Sequence, residues 1–120
     1  MTSRTVRAAL AALVAALVTP HAAAAEKPDY RKAAARIVES AAVKEGDLVF
    51  VSGDVATIDL VEEIGVAVAA RGGHPIQQLY RGRTGVRYYA EVPEKYDSTR
   101  AAFWNEITEL VDVVIRVDWP

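Results

Sequence analysis

Apolar residues recur along this chain in three spacings. The first is an unbroken run of Ala, Leu and Val from Ala8 to Val18. The second is helical. Tyr30, Ala33, Ala34, Ile37, Val38 and Ala41 fall at i, i+3, i+4 and i+7, and Arg31, Lys32, Arg36 and Glu39 fall between them. That pattern predicts an amphipathic helix from Tyr30, capped by Asp29 and stopped at Lys44–Asp47, where Gly46 suits a left-handed turn. The third is the short continuous run Leu48-Val49-Phe50-Val51, bounded by Ser52-Gly53-Asp54. Apolar on every position and too short for a helix, it predicts a central parallel strand. Helical spacing returns in Leu60, Val61, Ile64 and Val68, within a helix expected from about Thr57 to Arg71. Its start is capped by Asp59 with Glu62, or by Thr57, and Gly72-Gly73-His74-Pro75 ends it.

Ile76 to Tyr80 reads as a second strand. Between Arg81 and Asp97 the pattern fades: Gly82 and Gly85 favour a turn, and Val86 to Val92 fits a short strand or an irregular loop. Asp97 or Ser98 then caps a helix with Phe103, Ile107, Leu110 and Val111 inward, and Val113 to Val117 forms the last strand. Strands joined by helix-length connections build parallel sheets through right-handed βαβ units. The expected fold is therefore α/β: a small three-layer domain with a short, mainly parallel sheet.

The first apolar run requires separate treatment. Arg4 and Arg7 precede it, Thr19-Pro20 ends it, and Ala23 and Ala25 supply the small residues a signal peptidase accepts. Residues 1–25 are read as a cleavable signal peptide and residues 26–120 as one α/β domain, periplasmic or extracellular after cleavage near Ala25. The run is about half the roughly 20 residues that span a bilayer, so no stable membrane anchor is expected after cleavage. No Cys follows the site for lipid attachment, and the two arginines are not adjacent as a twin-arginine signal requires.

Removing that segment changes the charge. Two of the fourteen basic residues lie in it and none of the sixteen acidic ones, leaving twelve against sixteen. A net acidic exported domain is a poor match for nucleic acid or an anionic membrane. The chain has no Cys, which excludes disulfides, thiolate catalysis and Cys-ligated zinc.

Ligands of open α/β sheets sit beyond the carboxyl ends of the strands. Those ends place Ser52, Gly53, Asp54, Arg81 and Asp118 as candidate ligand-binding residues, against the plainer reading of solvated turns. Neither the spaced glycines of a dinucleotide fingerprint nor a P-loop Lys is present. His74 is the one histidine after residue 25, with no companion ligands in sequence, so a helix-ending turn is its expected role and no metal ligand or catalytic residue is assigned. Glu62 and Glu63 are adjacent and fall on a solvated helix surface. Tyr80, Arg81, Arg83, Arg87, Tyr88 and Tyr89 mix aromatic and basic character, as a partner-binding surface or a plain loop does.

One likeness joins several of these pieces. Ala34, Arg36-Ile37-Val38 and the segment Val43 to Gly53, followed by Val66 to Leu79 with its Gly72-Gly73-His74-Pro75, resemble the N-terminal domain of the thermophilic metallo-aminopeptidases, the aminopeptidase T or leucyl aminopeptidase type. The likeness runs over about residues 31–118. It implies an α/β domain that precedes a separate catalytic domain, where two divalent metals (zinc, cobalt or manganese) activate water to remove N-terminal residues from peptides. The metal-ligand motifs of that later domain have no counterpart here, so the resemblance implies an exported domain or fragment inactive by itself, with a catalytic domain or a homo-oligomer as possible partner. The export signal departs from the family's better-known members. The alternatives are a free-standing exported module that binds a peptide, small ligand or partner protein, and a small enzyme using Asp54, Arg81 or Asp118.

Overall fold

A computed structural model describes residues 7–12 and 28–118. Its elements run β1 (Arg7–Ala12), α1 (Tyr30–Ser40), β2 (Leu48–Asp54), α2 (Ile58–Ala70), β3 (His74–Tyr80), α3 (Gly82–Glu91), α4 (Asp97–Leu110) and β4 (Val113–Asp118), with short 3-10 turns at Val55–Thr57 and Glu94–Tyr96. The sheet order is β1-β4-β2-β3 and every pair is parallel. The three strands legible in the apolar pattern form its body, with β2 central and helices in the connections, so the domain is α/β as expected.

The core lies on one face of the sheet. Val49 and Val51 of β2 and Val113, Ile115 and Val117 of β4 meet Ala34 and Val38 of α1 and Leu60, Val61, Ile64 and Val68 of α2, all buried. Each α2 residue expected to face inward does so. Asp29 caps α1 by accepting a hydrogen bond from the Lys32 amide at 3.0 Å. Gly46 takes the left-handed conformation, φ +83°.

Several expectations are corrected. Helix α1 ends at Ser40, before Lys44–Asp47, through Ala42 at φ 52°. Strand β2 does not stop at Ser52 but runs through Asp54. It is not buried on both faces either: Leu48 and Phe50 are only partly covered, because little among the described residues packs on the second face. Neither Asp59 nor Thr57 caps α2 with its side chain; the Thr57 hydroxyl donates instead to the Asp54 carbonyl at 2.7 Å. His74 opens β3 rather than closing the turn before it.

The largest correction is residues 82–91, read as turn and short strand or loop, which form a helix. Arg87 donates to both carboxylate oxygens of Glu91, at 2.7 and 2.8 Å, an i,i+4 pair that supports helix over strand. Those bonds hold the Glu91 carboxyl below its ordinary pKa and raise that of the guanidinium. In α4 neither Asp97 nor Ser98 is the cap, and Phe103 and Leu110, expected inward, are 61% and 62% exposed. Ile107 and Val111, also expected inward, are half-buried and buried, and Trp104 adds an edge-on contact to Phe50 with ring centroids 5.9 Å apart.

Residues 7–12, expected to belong to an export signal, form an edge strand. Thr19-Pro20 and the cleavage site expected at Ala23–Ala25 lie outside the described residues.

Candidate functional site

Alternation along the strands assigns each side chain to a face. Opposite the core, β2 presents Leu48, Phe50, Ser52 and Asp54. The registers Ser52↔Gln78, Asp54↔Tyr80 and Ser52↔Arg116 bring Gln78, Tyr80 and Arg116 onto that face, and Asp118 follows Arg116 by two residues. This second face divides in two. Its amino-terminal half is mainly apolar (Leu48, Phe50, Ile76, Val114, with His74 beside Leu48) and receives Trp104. Its carboxyl-terminal half is polar (Ser52, Asp54, Gln78, Tyr80, Arg116, Asp118) and lies at the strand ends, where open α/β sheets hold ligands.

The sequence-predicted residues therefore do collect at one edge, but several have structural work there. Asp54 accepts a hydrogen bond from the Ala56 amide at 2.8 Å, capping the turn into α2. Ser52 is 7% exposed. Arg81 stands at the amino end of α3, where its carbonyl accepts from the Thr84 amide at 2.8 Å. Asp118 lies 4.0 Å from Arg116, an exposed pair that contributes little. Gln78, Tyr80 and Arg116 were missed as members of this edge. Strand alternation alone carries the signal for them, once the parallel register is known.

Gly53 is explained by packing. A Cβ there would come within 2.6 Å of Thr57 Oγ1, 2.8 Å of Val61 Cγ2 and 3.3 Å of the Val117 carbonyl oxygen. Its bare backbone lets α2 lie close against the end of β2. Gly53→Ala is expected to cost about 1–3 kcal/mol through overpacking, read as a lower urea midpoint at unchanged slope.

A separate concavity lies elsewhere. A cleft of about 740 Å³ opens between α3 and α4, lined by Tyr88, Tyr89, Glu94, Asp97, Arg100 and Trp104 among others. Arg100 bonds Asp97 at 2.8 Å and stacks over the Tyr88 ring at 5.4 Å. Beside the cleft Tyr89 is 93% exposed, and Val86, Tyr96, Phe103 and Leu110 are also exposed. Neither α3 nor α4 buries a single residue. Of the aromatic and basic cluster noted in the sequence, Arg83, Arg87, Tyr88 and Tyr89 thus lie on a helix with no buried residue, while Tyr80 ends β3 and Arg81 precedes the helix.

Among the described residues no three His, Cys, Asp or Glu side chains converge as a metal site, so the implied divalent metals have no matching donor set there and no metal-dependent step is assigned. Among the same residues no helix is long and apolar enough to cross a membrane. No protein-family model matches the chain, and comparison with curated proteins returns no match.

Proposed function

We propose that this chain is a non-catalytic docking domain of an exported metal-dependent aminopeptidase system, which holds a partner protein domain against α3, α4 and the apolar half of the second sheet face. The observation that carries the reading is the placement of large apolar side chains. Val86, Tyr88, Tyr89, Tyr96, Phe103 and Leu110 are all exposed on contiguous elements, with Ile76 and Tyr80 exposed on the sheet face beyond. Contiguous apolar exposure of this kind marks interaction surfaces, whereas single exposed residues do not. Tyr, Trp and Arg are also the residues that dominate binding energy at interfaces. The aminopeptidase part of the reading rests on the sequence resemblance, with peptide hydrolysis assigned to the partner.

Site-specific photo-cross-linking tests it. A benzoylphenylalanine in place of Phe103 in the exported protein is expected to capture a polypeptide that releases leucine from a chromogenic leucyl amide with zinc, cobalt or manganese. The same group in place of Val66, exposed on α2, is expected to capture at least tenfold less. Capture of a second copy alone would move the reading to a free-standing homo-oligomeric module. Leucine release by the purified chain itself would overturn the non-catalytic role.

A further inference from the structure

We propose that the outer edge of β4 is a strand-accepting site, occupied in the precursor by its own leader and, once residues 1–25 are removed, by an extended apolar segment of a partner protein. The proposal rests on the export reading for the vacating step, but not on the aminopeptidase resemblance.

Strand β1 pairs with β4 in parallel register over six residues, from Arg7↔Val113 to Ala12↔Asp118. Those residues, Arg-Ala-Ala-Leu-Ala-Ala, belong to the segment read as the export signal. A signal engaged by a peptidase cannot at the same time lie along a sheet edge, so the two uses exclude each other. The core formed by the described side chains runs from Ala34 to Val117, outside the segment removed by cleavage. It does leave the backbone donors and acceptors on one side of β4 without a strand.

The two edges of the sheet are unequal. The outer strand β3 contains Pro75, which has no N–H to offer a further strand. Strand β4 reads Val-Val-Ile-Arg-Val-Asp, with no proline and only Arg116 interrupting the apolar run. An edge of that composition is a template for strand addition. Main-chain bonding supplies affinity in such addition, so the occupant is defined by being extended and able to lie close to the edge. The seat taken by β1 fixes the orientation as parallel.

Amide hydrogen exchange at Val113–Val117 tests the proposal. In the full chain those outward-facing amides are expected to exchange slowly, and Leu10→Pro is expected to speed them at least tenfold while leaving β3 unchanged. In residues 26–120 they are expected to exchange fast, and to slow at least tenfold with a synthetic peptide of residues 4–15. The same peptide with Leu10→Pro is expected to do nothing. Equal exchange in all these samples would overturn the site. Slow, concentration-dependent exchange in residues 26–120 without peptide would show a second copy on the edge and overturn the partner assignment. The export premise fails separately: an intact mass beginning at Met1 in the exported protein sinks it, while the β1–β4 pairing is still judged by the full-chain samples.

Discussion

Ile64→Ala is expected to destabilise the domain by about 2–5 kcal/mol, with Tm lower by roughly 10 °C or more. Ile64 is fully buried on α2, within the cluster formed by α1, α2 and the core face of the sheet. Truncation removes its transfer free energy and leaves a void that helices anchored at both ends cannot fully close. The effect is large relative to the whole. A domain of this size holds on the order of 5–10 kcal/mol in total, and here no disulfide supplements the core. Urea and thermal unfolding followed by circular dichroism measure the loss. A loss under about 1 kcal/mol would mean that the core is looser than described. Ile64→Val, which removes one methylene, is expected to cost about 0.5–1.5 kcal/mol.

Asp112→Ala is the second large effect, about 1–3 kcal/mol. Asp112 Oδ2 accepts from the Leu48 amide at 2.9 Å, and the Asp112 amide donates to the Leu48 carbonyl at 2.9 Å. This double bond pair ties the start of β4 to the start of β2 across 64 residues of sequence. Similar ties bind the same end of the sheet: the His74 amide donates to Asp47 and the Gly46 amide to Gly72. Removing the carboxylate leaves a partly buried Leu48 N–H without that acceptor, and an unsatisfied donor costs more than a made bond contributes. Asp112→Asn keeps an acceptor oxygen and is expected to lose less than half as much. Equal losses in the two variants would show that the charge, not the hydrogen bond, stabilises this corner. Exchange at the Leu48 amide locates the effect.

The β2-α2-β3 unit was legible because each element carried a single strong period. Leu60, Val61, Ile64 and Val68 form one stripe, and Gly72 supplies the left-handed turn that a helix-to-strand reversal requires. Helix α3 was not legible. Gly82, Gly85, Val86, Tyr88 and Tyr89 are poor helix formers, and the one strong helical cue was the Arg87–Glu91 spacing. Helix α4 was recognised with half of its inward face: Val111 is buried and Ile107 half-buried as expected, while Phe103 and Leu110 are exposed. Ala101, Ala102, Phe103, Trp104, Ile107 and Leu110 spread around the cylinder, so spacing alone could not choose between a Phe103 and a Trp104 seam. The polar half of the second sheet face was half legible. Turn residues pointed to Ser52, Asp54, Arg81 and Asp118, while Gln78, Tyr80 and Arg116 depend on a register that no local pattern encodes. Strand β1 was hidden for another reason: the same six residues satisfy an export signal and a sheet edge, and sequence shows only one use at a time.

Pro75 also bears on what this protein avoids. If the β4 edge of one copy could dock on the β3 edge of the next, each addition would present a fresh edge and the contact would never close. Head-to-tail growth of that kind makes fibres. If β4 accepts a strand as proposed, a proline on the other side makes the sheet a one-way connector, poorly suited to pass the chain of contacts on. A single residue at the far margin of the fold thus works against open-ended growth.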